Sequence, residues 1–256
     1  MTVAILLSAG YGKRLEPLTL SWPKCLMPIH GRPLLEHWIF RLRKSGITHF
    51  LVNTHHKSTE VECFLSRPEI RNMVTISPEK ELLGTCGTLR HNSEFCRGED
   101  VFVAHADNWC VCDFTEFIKF HQSHDNPITM MTFHTQNPKS CGIVEIDRLG
   151  VVQSLEEKPS QPSGNLANAA VYIFGKEVFE WLTQNPDCKD ISIDLLPRFV
   201  GRISSWHNDH IHRDIGTFSE LIAAQKDQAI DSIPLLKDEW HRNFARNPIH
   251  KMICVK

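Results

Sequence analysis

"VAILLSAGYGKRLEPLT", residues 3–19, sets five apolar residues ahead of a loop that holds two glycines, a lysine and an arginine. The apolar run has the length of a strand buried on both faces. A loop leaving the carboxyl end of a buried first strand lies at the usual ligand crevice of an open α/β sheet. Gly10 and Gly12 allow the backbone to approach a ligand and to present N–H groups to it. Lys13 and Arg14 supply charge, and the arginine fork suits phosphate oxygens. Two familiar phosphate loops are excluded. A dinucleotide fingerprint needs a third glycine where Leu15 stands; a P-loop needs glycine at Leu7 and a hydroxyl residue at Arg14. On these residues alone the loop reads equally as a phosphate-facing loop or as a surface turn with solvated cations.

The whole chain sets the bounds for that loop. Its 256 residues are 41% apolar and 23% charged, ordinary globular composition, with a net charge of −2. Such a balance argues against a general nucleic-acid or membrane-surface binder, so an anionic ligand must be met by local cations. The N-terminus lacks a basic region and reads as a strand, not a signal peptide. No apolar run approaches the roughly 20 residues that span a bilayer. Nine scattered cysteines without a secretory signal lead us to expect reduced thiols and a cytoplasmic protein.

Strand-like and helical stretches then alternate. A helix is expected from about Pro33 to Lys44, a strand at "HFLVNT", a helix near Ser58 to Leu65, a strand at "MVTIS", and a helix from Gly84 to His91. A fourth strand, "VFVAH", is expected to end at Asp107, and "DFTEFIKFHQSH" is amphipathic. This alternation implies a parallel sheet with helices on both faces. The second half changes texture. "CGIVEIDRLGVVQSLEEKP" reads as a hairpin around Asp147 to Gly150, "NAAVYIFGKEVFEWL" as strand then helix, and "RISSWHNDHIHRDIGT" as a late strand and turn. "FSELIAAQKDQAI" reads as a helix docked on the core. The fold class is therefore α/β: a Rossmann-like, mostly parallel mixed sheet with an inserted antiparallel part. One domain over residues 1–231 and an appendage over 232–256 are expected.

A second motif follows the loop. In "WPKCLMPIHGRPLLEH", residues 22–37, Pro23 and Pro28 hold the chain extended and Pro33 suits the first helical position. Lys24 is thereby aimed, although a proline-rich connector with a surface lysine has the same composition. Taken together, Gly-x-Gly-x-Arg-Leu-x-Pro-Leu-Thr and Pro-Lys-x-Leu-x-Pro-x-x-Gly-x-Pro resemble the sugar-1-phosphate nucleotidylyltransferase family. "PEKELLGTCGTL" (78–89) resembles the segment of its mannose-1-phosphate guanylyltransferase branch that runs from a glutamate to Gly-Thr-small-Gly. "AHADN" (104–108), "SCGIVEID", "EEKP", "NAAVYIF" and "RDIGT" continue the series in order. The resemblance covers roughly residues 3 to 225.

It implies the nucleotide-diphospho-sugar transferase fold and attack by a sugar-1-phosphate oxygen on the α-phosphorus of a nucleoside triphosphate, with pyrophosphate leaving. Asp107 and Asp214 are implied as Mg²⁺ ligands; two hard oxygens completed by phosphates and water suit that ion. Capping or turn roles are the plainer alternative for both, although Thr217 or Ser219 can cap the following helix and release Asp214. Arg14 matches the arginine on the triphosphate and Lys24 the lysine near the reacting phosphates. Lys158 matches the lysine on the sugar phosphate, or is a solvated loop lysine. Glu157 and Asn168 resemble sugar-hydroxyl ligands, with Gly142 admitting the ring. Ala9, Gly10, Gly12, Lys13, Glu79 and Gly84 fall on the nucleotide side, and Glu79 has the acceptors to select guanine. GTP with mannose 1-phosphate or manno-heptose 1-phosphate is the favoured pair. UTP, CTP or dTTP with another phosphate, and a non-catalytic nucleotide-sugar binder, are the rivals.

Some features depart from the pattern. Ala106 replaces a common glycine before Asp107, and Lys13 replaces a common threonine. With about 30 residues after the core, the β-helical extension of longer relatives is not expected. No membrane or nucleic-acid partner is expected; a homo-oligomer is compatible. His207, His210 and His212 suggest zinc, with His210 and His212 on one strand face. Fifteen histidines make chance clusters common, however, and no matching cysteine pair exists. Cys110 and Cys112 read as reduced thiols, and Met130 and Met131 as core.

Overall fold

The computed structural model describes residues 3–96, 98–228 and 236–253. Thirteen strands occur among them: β1 Val3–Leu7, β2 Pro28–Ile29, β3 Arg32–Pro33, β4 His49–Thr54, β5 Val74–Pro78, β6 Val101–His105, β7 Asn108–Val111, β8 Ile128–His134, β9 Gly142–Ile146, β10 Val152–Glu157, β11 Leu166–Phe174, β12 Ile203–His207 and β13 Ile211–Asp214. The chain divides into two compact units. The first holds Met1–Ile5, Leu83–Ala104 and Asp113–His210; the second holds Leu6–Leu82, His105–Cys112 and Ile211–Lys256. Strand β1 begins in the first and ends in the second.

In the first unit the strands lie in the order β10-β9-β11-β6-β1, with β8 pairing β11 and β12. The expected hairpin is present: β9 and β10 pair antiparallel, from Val152 opposite Ile146 to Glu157 opposite Gly142. β11 runs antiparallel to β6 and β8, whereas β12 runs parallel to β8. The pattern in β11 shows why it holds the centre. Ala167, Ala169 and the run Val171–Phe174 are all fully buried, so both faces are covered from Val171 onward. Met130 and Met131 are core, as expected. Asp113 accepts from Thr115 N and Glu116 N and so starts the helix Phe114–His121.

In the second unit the order is β1-β4-β5, with β4 and β5 parallel and joined through the helix Ser58–Leu65. All five residues of β1 are buried. The helix Leu34–Lys44 buries Leu34, Leu35, Trp38, Ile39 and Leu42 at helical spacing, with Glu36 in its first turn and Arg41, Arg43 and Lys44 in its last, which suits the helix dipole. Pro33 is its N-cap, one position before the site expected for it. Two short antiparallel pairs complete the unit, β2 with β3 and β7 with β13. Sequence reading missed β7 and ran β6 on to Asp107. The strand stops at His105, and Asp107 falls in the turn before β7.

The expected late strand is two strands: β12 belongs to the first unit and β13 to the second. β13 starts at Ile211, so the exposed His210 lies outside it and does not share a strand face with the half-buried His212. The helix Phe218–Ala224 buries Leu221 and Ala224, and Thr217 Oγ1 accepts from Glu220 N at its start. Residues 229 and 230, which end the expected helix, and the boundary at 231/232 lie outside the described residues. Beyond it, Asp238 caps the helix Glu239–Ala245 and binds Arg67, while Trp240 meets Phe64 with ring centroids 5.1 Å apart. These residues belong to the second unit.

Candidate active site

Four charged side chains from four separate segments meet in the second unit. Lys24 Nζ donates to Asp107 Oδ2 at 2.8 Å and to Asp214 Oδ1 at 2.9 Å. Arg14 Nη2 donates to the other oxygen of Asp214 at 2.8 Å. Two carboxylates and two cations thus form one connected, formally neutral group. Lys24 is nearly enclosed, with its side chain 6% exposed; Asp107, Asp214 and Arg14 are open at 34%, 45% and 66%.

Local structure explains each position. Asp214 ends β13, and the antiparallel register sets it opposite Asn108, the residue after Asp107. Strand pairing therefore brings together two carboxylates that are 107 positions apart. β7 is held from behind: Trp38 Nε1 donates to Asn108 O and Arg41 Nη1 to Cys110 O, both at 2.9 Å. The Arg41 guanidinium also lies 4.5 Å from the centre of the Trp109 ring. Lys24 opens a short 3₁₀ turn after the extended Pro23. Arg14 lies in another 3₁₀ turn, entered through Gly12 at φ 64°. A Cβ on Gly12 would fall 2.8 Å from Thr19 Cγ2 and 3.2 Å from Lys24 Cβ, so only glycine lets this turn pack on Lys24. Sequence reading also did not assign Gly216, against which the Arg14 guanidinium lies: a Cβ there would stand 2.7 Å from Arg14 Cζ, so a side chain at this position would shift the guanidinium. The placement of Gly216 two residues after an acidic strand end was the available signal.

The charges hold one another. Burial, the largest single influence on Lys24, favours its neutral form, but the fields of Asp107 and Asp214 outweigh it and the pKa is raised. Burial likewise pushes Asp214 up, and Lys24 and Arg14 bring it below the ordinary value. Arg14 is raised through its hydrogen bond to Asp214.

Other candidates of the second unit surround the same loop. A Cβ on Gly10 would meet nothing within 4 Å, so its backbone is open to an approaching group. Ala9 is buried, and the Lys13 ammonium lies 5.5 Å from the centre of the Tyr11 ring. Glu79 follows β5 and accepts from Asn53 Nδ2 at 2.8 Å. Sequence reading missed Asn53. A buried amide near the end of the apolar run "HFLVNT" was the available signal.

The remaining candidates lie in the first unit. Glu157 ends β10 and pairs with the exposed Lys158 at 3.1 Å. Lys158 sits at φ 48°, a conformation that a non-glycine residue holds only under constraint. A Cβ on Gly142 would come within 2.8 Å of Glu157 Oε2, so this glycine makes room for the carboxylate. Asn168 donates to Tyr172 Oη at 2.8 Å and accepts from Ala170 N at 2.9 Å, bracing an irregularity in β11 where Ala170 takes φ 52°. Gly84, at φ 74°, starts the helix Gly84–His91 close against Lys189 O.

Among the described residues no group of three or more His, Cys, Asp or Glu is arranged to hold a metal, and no helix is long and apolar enough to cross a membrane. The eight described cysteines are free thiols, Cys110 and Cys112 included.

Comparison with known proteins agrees with this fold. The model of the family described as nucleotidyl transferase matches residues 3–230. The mannose-1-phosphate guanyltransferase beta-A of Xenopus laevis is 33% identical over 244 residues, covering 93% of this chain and 67% of its own length. A mannose-1-phosphate guanyltransferase of Neurospora crassa is 30% identical over 221 residues, 83% of this chain and 60% of that protein. A relative from Sulfolobus acidocaldarius is 30% identical over 201 residues, and the chain spans 55% of its length. A solved Bacillus anthracis structure holding a sucrose has a TM-score of 0.81 at 20% identity, covering 91% of this chain and 98% of that one. With its mixed central sheet and the match over residues 3–230, the chain belongs to the nucleotidyl transferase family.

Proposed function

We propose that this chain transfers a nucleotidyl group from a nucleoside triphosphate to a sugar 1-phosphate, with GTP and mannose 1-phosphate or manno-heptose 1-phosphate as the favoured pair. The observation that carries this reading is the cluster of Lys24, Arg14, Asp107 and Asp214. The names of the Xenopus and Neurospora relatives support the choice of substrates.

The reaction needs little covalent machinery from the protein. A phosphate oxygen of the sugar 1-phosphate forms a bond to the α-phosphorus, and the bond from that phosphorus to the bridging oxygen of pyrophosphate breaks. Both reactants are anions, so catalysis is alignment plus charge stabilisation. Arg14 offers a planar fork to the triphosphate once it leaves Asp214. Lys24, stiffened by Pro23 and almost enclosed, places a fixed positive charge near the reacting phosphorus. Lys158 and Glu157 serve the sugar phosphate and its hydroxyls, with Asn168 and Gly142 shaping that part. Glu79 accepts from the base, and the backbone of Ala9, Gly10, Gly12 and Lys13 lines the nucleotide.

Asp107 and Asp214 suit a divalent cation. Both carboxylates already converge on one positive charge, both remain open to solvent, and hard oxygens are what Mg²⁺ prefers. When bound, such an ion would neutralise phosphate charge between these two residues.

Pyrophosphate release across a panel of triphosphates and sugar phosphates tests the proposal. GTP with a manno-configured 1-phosphate is expected to give the highest kcat/KM. Turnover with UTP but not GTP would remove the guanine assignment. Silence with every pair, while nucleotide sugars still bind, would point to a binding protein without catalysis.

A further inference from the structure

Asn53 is 4% exposed and is the next-to-last residue of β4, directly after the apolar run Phe50–Val52. Its amide has two different partners. Oδ1 accepts from Ser8 N at 2.7 Å, and Nδ2 donates to Glu79 Oε1 at 2.8 Å. A backbone N–H can only donate and a carboxylate can only accept, so the amide has one orientation. Ser8 Oγ returns a bond to Asn53 O at 2.5 Å. The first residue of the glycine loop and the carboxylate of Glu79 are thus joined through one buried side chain.

A second tie runs in parallel. Glu79 N donates to Thr54 O at 2.8 Å, which pins its main chain beside β4. His55 Nδ1 lies 2.9 Å from Glu79 O, and its Nε2 lies 3.0 Å from Tyr11 Oη. The carbonyl accepts only, so Nδ1 carries the proton and Nε2 accepts from the tyrosine hydroxyl. Loop residues Ser8 and Tyr11 therefore clamp Glu79 from two sides, Asn53 holding its carboxylate and His55 its backbone.

We infer that Asn53 is a positioning residue for nucleobase selection, holding the Glu79 carboxylate at a set place relative to the loop Ser8–Gly12. The inference rests on the proposed role of Glu79 in facing the base. Its physical basis is selectivity: telling guanine from a base without the 2-amino group depends on one or two hydrogen bonds. A glutamate free to change rotamer loses that discrimination before it loses binding. Asn53 supplies the restraint, and because it is itself fixed by a backbone donor it adds no freedom of its own.

The test compares GTP with inosine triphosphate, which lacks the 2-amino group, in the wild type, Glu79→Gln and Asn53→Leu. Both variants are expected to lower the ratio of kcat/KM for GTP over inosine triphosphate by about tenfold, through KM for GTP more than through kcat. An Asn53→Leu protein that loses activity equally with both nucleotides overturns the inference, because a merely structural residue would act that way. If Glu79→Gln leaves the ratio unchanged, the base-facing role of Glu79 fails, and the inference with it. A fall for Glu79→Gln without one for Asn53→Leu refutes the inference alone. Should Asn53→Leu not fold, Asn53→Ser is measured in its place. It leaves no group long enough to reach Glu79, so the same ratio decides.

Discussion

Two charge clusters of the second unit use the same chemistry for different ends. In one, Lys24 bridges Asp107 and Asp214; in the other, Arg67 bridges Glu36 and Asp238, with Nη1 2.7 Å from Glu36 Oε2 and a two-pronged contact to Asp238 at 2.6 and 3.0 Å. Each has a nearly enclosed cation between two carboxylates. They differ in what faces water. The carboxylates around Arg67 are 0% and 18% exposed, and Trp240 and Phe64 cover the guanidinium at 4.8 and 5.4 Å. The carboxylates around Lys24 are open to solvent, and a second cation, Arg14, lies in water beside them. A closed cluster can only fasten chain to chain. An open one can exchange its partners for phosphates and a cation.

The largest expected effect tests the closed cluster. Arg67→Leu leaves the buried Glu36 with only Arg32, 3.7 Å away, and Asp238 without its two-pronged contact, and should reduce stability by about 3–5 kcal/mol, read as a lower urea midpoint. Activity well below the transition should be kept. A midpoint within error of wild type would mean that the Arg67 cluster is not a fastening. The reverse pattern is expected for Asp107→Asn: kcat/KM falls about 10²–10³-fold, as for other single electrostatic contributors, with the melting temperature little changed. Near-normal turnover in that variant would remove Asp107 from the chemistry.

A smaller effect concerns acid. Burial holds His37 down to about 3 and His212 to about 4, both below the ordinary 6.5. As pH drops from 7 to 5 the unfolded chain takes up protons that the folded chain does not, so stability falls by about 2 kcal/mol for each at pH 5. The charge clusters behave otherwise. Burial would raise Asp214 and Asp238, but their cations hold both below 3.8. Their contribution is present above that value and is lost only in stronger acid. His212→Gln should therefore flatten the slope between pH 7 and 5 without changing the fall below pH 4. An unaltered slope would assign it to other histidines.

Most elements were legible in the sequence because they are local. The alternation of strand-like and helical stretches located the helices Leu34–Lys44 and Ser58–Leu65 and the hairpin of β9 and β10, and an entry glycine located the helix Gly84–His91. Failures came where a partner far along the chain decides. "NWCV" has no strand signal of its own length, yet β7 forms because β13 pairs with it. His210 and His212 share an alternation that strand β13 does not extend far enough to use.

The candidate site divides the same way. Loop, lysine and aspartates were visible as residue types in order, since glycine, proline and charge carry local meaning. The engagement of Arg14 and Lys24 with Asp214, the packing of Arg14 on Gly216 and the amide of Asn53 were not, because each is a contact between segments tens to hundreds of residues apart. By itself the sequence determined which chemistry is available: cations, carboxylates and a flexible loop beside a buried strand. Only the tertiary structure decided which of them meet and which stay wet. Distance and burial set the strength of every charge interaction, and neither is a property of a residue alone.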